Sequence, residues 1–309
     1  MFPFVGCTLM KKLIIFSALL GSVTIDVTNA QSVGDGHVQR SLSALLAART
    51  IECDIRIETL VDGREYAAWG NYAEQTLPQA TPHSFLRSVY RLEINFSRNA
   101  LPASDAELNQ MTLVCYEDGG RLQIDRYSAI EGVQSGSTID VNRIEERLRA
   151  AKREIFFSQA SEVRNLGGLA GMMRQIIRFY EFSPPTQENL QDGEVIPTLK
   201  LTGTLRGIHR KELLTRFGGL DKNDHYPKDF PSDMEIWLGR HNDFPYKIRY
   251  LRRISEKSEQ KTLLFQESFY KVALNGTPIS PSKFASLPFP EDVFSVPDDT
   301  ENVIKALGL

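Results

Sequence analysis

Side chains that commonly carry enzymatic chemistry are sparse in this chain. Its five histidines are His37, His83, His209, His225 and His241. None of them lies in an H-E-x-x-H motif, and neither a G-x-S-x-G motif nor a cysteine–histidine arrangement is present. The sequence therefore predicts a protein that is not an enzyme and that holds no cofactor.

One loop contains several potential metal ligands. These are Asp221, Asp224, His225, Asp229 and Asp233. The loop lacks the glycine at the sixth place and the closing glutamate that a calcium-binding loop requires. We therefore interpret it as a solvated acidic loop and not as a metal site.

A basic segment offers a different chemistry, the binding of an anionic head group. Its cations are Lys247, Arg249, Arg252 and Arg253. Cations with this spacing are more often the solvated face or the charged edge of a sheet. The charge alone does not select between these two interpretations.

The N-terminus has the features of a signal peptide. Lys11-Lys12 precede an apolar run from Leu13 to Val23, and Thr28-Asn29-Ala30 is a small-x-small cleavage site. We predict residues 1–30 as the signal peptide, with Met10 as the functional start and Gln31 as the mature N-terminus. The protein is then exported, either to the periplasm or to the medium.

The remaining chain, residues 31–309, is long enough for a substantial core. The net charge of −3 and the pI of about 6.0 of the full chain give no reason to expect nucleic acid as a partner. No internal repeat and no long linker divides it. We expect one domain.

Two cysteines, Cys53 and Cys115, remain after removal of the signal peptide. Both lie on the apolar face of strand-like segments. Export permits a disulfide between them, and two buried free thiols are an equally good interpretation, because cysteine is often buried without a bridge.

Residues Asn165 to Phe182 interrupt strand-like segments with a helical period. Leu169, Met172, Met173, Ile176, Ile177 and Tyr180 fall on one stripe, and Pro184-Pro185 prevent continuation. The stripe is typical of a core helix. It also fits a lid over an apolar cavity, because adjacent methionines adapt to variable shapes.

The surrounding segments alternate as strands do. In TIECDIRIE, Ile51, Cys53, Ile55 and Ile57 alternate with polar residues, and Tyr90 to Phe96 do the same. Short turns join these segments, and short connections join antiparallel neighbours. The sequence thus predicts one antiparallel α+β domain.

Several phrases of the chain occur in the same order as in a known family. They are Leu113 to Tyr127 (LVCYEDGGRLQIDRY), Leu199 to Leu205 followed by Met234 to Tyr250, and the closing positions Asn275-Gly276, Ile279, Phe284, Phe289-Pro290, Val293 and Val296. These phrases resemble the outer-membrane lipoprotein carrier (LolA-like) family. The region Gln79-Ala80-Thr81-Pro82 lacks the arginine of the family's Arg-Pro latch.

The resemblance implies a strongly curved, incomplete antiparallel barrel with helices across its open, concave side. A lipid or lipoprotein acyl chain would lie inside it, delivered or received by a membrane-bound donor or receptor protein. The positions predicted to line this cavity are Tyr90, Leu92, Ile94, Phe96, Met111, Leu113, Leu169, Met172, Met173, Ile176 and Phe179. The alternative is a structural or protein-interaction domain of the same fold whose core is filled by its own side chains.

Overall fold

A computed structural model describes residues 32–61, 64–76, 88–97, 111–118, 121–128, 134–150, 168–284 and 297–306 of the chain. The predicted signal peptide lies outside these residues. So do Phe289-Pro290, Val293 and Val296 of the closing phrase.

The strands form one twelve-stranded antiparallel sheet. They are β1 (Thr50–Val61), β2 (Arg64–Thr76), β3 (Ser88–Ser97), β4 (Met111–Asp118), β5 (Arg121–Ser128), β6 (Gln134–Asp140), β7 (Tyr180–Phe182), β8 (Thr186–Asp192), β9 (Glu194–Leu205), β10 (Asp233–Gly239), β11 (Pro245–Arg253) and β12 (Lys261–Leu274). Their order is β6-β5-β4-β3-β2-β1-β12-β11-β10-β9-β7, with β8 paired to β9. The first strand pairs with the last, and β6 and β7 lie at opposite ends of an open, curved sheet. The predicted fold class is confirmed.

Helices accompany the sheet. They are α1 (Val33–Ala47), α2 (Val141–Ala150), α3 (Gly168–Phe179), α4 (Gly207–Arg216) and α5 (Thr300–Ala306), and a short 3-10 helix spans Pro281–Phe284. The first of them starts after Ser32, whose Oγ accepts a hydrogen bond of 3.0 Å from the backbone N–H of Asp35. This is an ordinary N-cap, since it satisfies one of the free donors of the first turn.

The first strand shows how the alternating sequence produces two faces. Ile51, Cys53, Ile55 and Ile57 are buried, whereas the residues between them are partly exposed. We call the face that carries these four residues the inner face and the opposite one the outer face. Helices α1 and α3 lie against each other and share one contiguous hydrophobic core with the inner face.

One helix boundary differs from the sequence prediction. The central helix was expected to continue to Phe182, but Tyr180–Phe182 form β7 and pair with β9. Backbone pairing at the sheet edge therefore overrides a helical period that continues through Tyr180.

The disulfide interpretation of Cys53 and Cys115 is wrong. The register aligns Cys53 with Tyr72, Tyr72 with Leu92, and Leu92 with Cys115, so two strands lie between the cysteines. Three strand spacings amount to about 14 Å, and a disulfide needs Cα atoms within about 7 Å. Cys53 is a buried free thiol, as the other interpretation expected.

Among the described residues, no helix is both long enough and apolar enough to cross a membrane.

Candidate functional site

The register brings the predicted strand positions of the cavity together on the inner face. Tyr72 is an inner-face residue and lies opposite Leu92. Positions 90, 92, 94 and 96 of β3 therefore share that face, and Ile94 and Phe96 lie opposite Leu113 and Met111 of β4. The side chain of Leu92 is buried in the main core. The inner face thus continues as an apolar row over neighbouring strands.

The helical residues of the predicted lining are all buried in the protein core. Met173, Ile176 and Phe179 are 0%, 1% and 2% exposed, and Leu169 and Met172 are buried as well. All five belong to the core that the sheet and α1 share. The stripe of α3 is therefore core, which agrees with the first of the two interpretations of that helix.

A buried polar joint holds the start of α3 against the sheet. The Tyr72 hydroxyl donates a hydrogen bond of 2.5 Å to Glu74 Oε2 and accepts one of 3.1 Å from the backbone N–H of Leu169. Gly168 has a φ of +58°, and a Cβ there would overlap the Tyr72 hydroxyl. Glycine is required here for both its conformation and its size.

A second joint fastens α1 beside the far end of α3. Asp35 accepts a hydrogen bond of 2.9 Å from the backbone N–H of Phe182 and one of 3.0 Å from Arg206. The Arg206 guanidinium also donates to the Ile177 carbonyl oxygen at 3.3 Å. Although the region 79–82 has no arginine, an arginine from another part of the chain thus connects the two helices.

A neutral imidazole packs against the C-terminal end of α3. The ring of His209 lies 4.7 Å from that of Phe179, centroid to centroid. Burial, followed by the charges of Arg178 and Arg206, lowers the pKa of His209 to about 4. At neutral pH this histidine is therefore an uncharged packing group.

The predicted basic segment has internal partners. Lys247 and Arg249 lie 5.2 Å and 5.1 Å from the centre of the Trp237 ring on the outer face. Arg252 donates to the backbone carbonyl oxygens of the loop 226–227, at distances of 2.6 to 3.1 Å. Arg253 pairs with Asp233 at 2.5 Å. These contacts support the sheet and do not assemble a head-group site.

The aspartates of the predicted acidic loop lie in different structural elements. Asp221 accepts backbone hydrogen bonds from Asn223 and His225, at 2.8 Å and 2.9 Å, and so closes a tight turn. Asp233 belongs to β10, where burial would raise its pKa but hydrogen bonds from Arg253, Lys261 and Ser232 lower it. In the part of the chain that the structure describes, no three His, Cys, Asp or Glu side chains are grouped to hold a metal ion.

The outer face contains a cleft that the sequence did not predict. It has a volume of about 970 Å³. Its residues come from β1, β2, β12, the start of β11, the turn between β8 and β9 and the start of β9; they are Asp54, Ile55, Arg56, Trp69, Gly70, Asn71, Gly193, Glu194, Ile196, Tyr246, Tyr270, Lys271 and Val272. The one available signal was Trp69, a large aromatic residue at a position that alternation places in solvent.

Comparison with known proteins gives structural matches only. No protein-family model and no characterised protein sequence matches the chain. The solved structures that resemble it include a DUF1329 family protein from Desulfovibrio piger, with a TM-score of 0.34, 11% identity and coverage of 83% of this chain and 98% of that one.

Two further matches carry the word lipoprotein in their names. The lipoprotein LppX of Mycobacterium tuberculosis has a TM-score of 0.36 and 12% identity, over 80% of this chain and 96% of its own. A putative outer membrane lipoprotein-sorting protein domain from Vibrio parahaemolyticus has a TM-score of 0.30 and 10% identity, over 88% and 98%. At these TM-scores, none of the similarities carries a function over to this chain.

Proposed function

We propose that this is an exported, non-enzymatic binding protein that holds an acyl chain of a lipid or lipoprotein on the inner face of its sheet. One observation carries the proposal. The register extends the apolar inner face from β1 and β2 onto Tyr90, Ile94 and Phe96 of β3 and onto Met111 and Leu113 of β4.

The filled stripe of α3 refines the position of the ligand. Ile176 and Phe179 already pack against the sheet, so an acyl chain beneath them would have to displace core side chains. We place the chain instead along β3 and β4. The start of α3 is held to Tyr72 of β2, the strand next to β3. Met172, one turn further along α3, has an adaptable side chain.

The energetic requirement is modest. An acyl chain has no hydrogen bonds to satisfy and is bound through the area that it removes from water. At about 25 cal/mol per Å² of apolar surface, a buried chain gains several kcal/mol. This suffices for reversible binding, which a carrier needs, whether or not a membrane-bound donor or receptor takes part.

Fluorescent fatty-acid binding to delipidated protein tests the proposal. Phe96→Glu should abolish saturable binding, because an uncompensated carboxylate beside an acyl chain is costly. The matched control is Asn95→Glu, which adds the same charge one residue away, at a position on the outer face opposite Trp69. That variant should bind like the wild type.

Two results would contradict the proposal. Well-folded, delipidated wild type without saturable binding would leave the filled-core interaction domain as the better interpretation. Equal loss of binding in both variants would show that charge on β3 acts through folding and not through the ligand. Organic extraction and mass spectrometry of freshly purified protein would identify any lipid that is bound.

Export is tested separately. If residues 1–30 are cleaved as predicted, the mature chain begins at Gln31. Intact-mass measurement of exported protein should give the mass of residues 31–309, and retention of residues 11–25 would contradict the cleavage site.

A further inference from the structure

The outer-face cleft has a floor of side chains and a separate wall. Arg56 of β1 and Trp69 of β2 are register partners on the floor, and Asn71 lies two residues further along β2. The wall comes from Gly193, which has a φ of +71° in the turn between β8 and β9, and from Glu194 and Ile196 at the start of β9. Strands that are distant in sequence thus enclose one volume.

Two β-bulges shape the same place. Between β10 and β11, Trp237 pairs with Lys247 and Leu238 with Pro245, so Tyr246 is an extra residue. Between β1 and β12, Lys271 and Val272 together oppose Cys53, and Lys271 has a φ of +48°. Bulges redirect side chains, and a left-handed non-glycine residue inside a strand is uncommon. Both bulges contribute residues to the cleft.

The charges of the cleft balance one another. The lining includes two anions, Asp54 and Glu194, and two cations, Arg56 and Lys271. Lys271 Nζ lies 2.7 Å from Asp54, and Arg56 lies 2.6 Å from Glu58 beside the cleft. A strongly charged ligand would find no matching excess charge here, so the cleft is suited to a neutral one.

Aromatic rings supply the apolar part of the surface. Trp69 is 43% exposed, which is unusual for tryptophan, and the Arg56 guanidinium lies 6.0 Å from its ring centre. Tyr246 and Tyr270 also line the cleft. Their rings have apolar bodies and polar tips, and they therefore favour a ligand that is apolar on one side and rich in hydrogen-bonding groups on the other.

The floor also limits how a ligand can bind. β1 pairs with β2 and β12, and β2 pairs with β1 and β3, so neither strand has a free backbone edge. An extended peptide cannot add to this floor as a further strand, the usual source of its affinity. On this floor, a ligand must be recognised by side chains alone.

We propose that the cleft binds a short neutral oligosaccharide. One sugar ring stacks its C–H face on Trp69, while its hydroxyl groups exchange hydrogen bonds with Asn71, Arg56 and Tyr270. The volume of about 970 Å³ lies near the upper end of ordinary small-molecule sites, about 300 to 1,000 Å³, and so provides space for more than one ring. This site is independent of the acyl site, which lies on the opposite face.

Tryptophan fluorescence provides a local probe. The chain has two tryptophans, and Trp237 is 1% exposed, so a ligand in the cleft should perturb Trp69. The probes are the neutral tetrasaccharides N-acetylchitotetraose and cellotetraose. We expect a saturable change in emission with at least one of them, and calorimetry gives the affinity of variants that lack the indole.

Variants separate stacking from folding. Trp69→Ala should weaken binding about two- to twelvefold, because an aromatic contact is worth about 0.5 to 1.5 kcal/mol, whereas Trp69→Phe should retain most of the affinity. Asn71→Ala, which preserves the platform, should also reduce affinity. Ile208→Ala is the control, because that side chain is exposed on α4, and it should change nothing.

Three results would overturn the proposal. One is the absence of saturable binding with both tetrasaccharides, another is wild-type affinity in folded Trp69→Ala, and the third is preferential binding of a neutral peptide that the sugars do not displace. Fatty-acid binding measured on the same variants should stay unchanged, so either site can fail without the other.

Discussion

Replacing Ile176 with alanine tests whether the space beneath α3 is filled. The side chain is 1% exposed and belongs to the main core. The change removes three methyl or methylene groups, worth about 0.8 kcal/mol each, or about 2.4 kcal/mol together. If the neighbours do not relax, a cavity of about 80 Å³ adds about 2 kcal/mol. The free energy of unfolding should therefore fall by about 2.5 to 4.5 kcal/mol.

Urea denaturation measures this loss as a lower midpoint with an unchanged slope. The control is Ile208→Ala, the same substitution at a position that is 55% exposed on α4, where we expect a change within about 0.5 kcal/mol. A loss below about 1 kcal/mol for Ile176→Ala would refute the packing argument. The stripe would then face a partly open cavity, and the acyl chain would belong beneath α3 after all.

Three further outcomes follow from local geometry. Gly36→Ala should stabilise α1 by up to about 1 kcal/mol in urea, because a Cβ there meets nothing within 4 Å, whereas Gly34→Ala should destabilise it, because a Cβ would overlap the Ser183 carbonyl oxygen. Stability should decrease as the pH falls from 6.5 toward about 4, since unfolded chains protonate His209 at 6.5 and the fold resists this until about 4. His209→Gln should flatten that part of the urea-midpoint curve, and an unchanged slope would contradict the assignment. The Cys53 thiol, whose pKa is raised chiefly by burial, should react with a thiol reagent only after denaturation.

Local patterns predicted the parts of the fold that depend on alternation and period. The segment TIECDIRIE became β1 with its inner and outer residues as expected, and the stripe of α3 is buried. By contrast, β8 has the sequence TQENLQD, in which nothing alternates, and it is a strand because β9 supplies its hydrogen bonds. Pairing at a sheet edge leaves no mark in the composition of the edge strand.

The order of the strands in the sheet could not be predicted from the sequence either. Alternation correctly placed Cys53 on an apolar face, but a face does not fix a distance, and β2 and β3 lie between the two cysteines. The same limit applies to the outer cleft. Its floor comes from β1, β2 and β12 and its wall from the β8–β9 hairpin at Gly193, and the order of the sheet brings them together.

The two proposed sites lie on opposite faces of one sheet, the acyl site along β3 and β4 and the cleft mainly on β1, β2 and β12. Ile55 points to the core, and Arg56, the next residue, lines the cleft with Trp69. Since the side-chain period of a strand is two, a shift of one residue in the pairing of β1 would send Arg56 into the core and Ile55 into water. The packing of α1 and α3 on the inner face fixes the register of β1, and that register also decides which side chains lie on the outer face. Core substitutions that preserve the register should leave the cleft intact, and those that loosen it should impair both sites together.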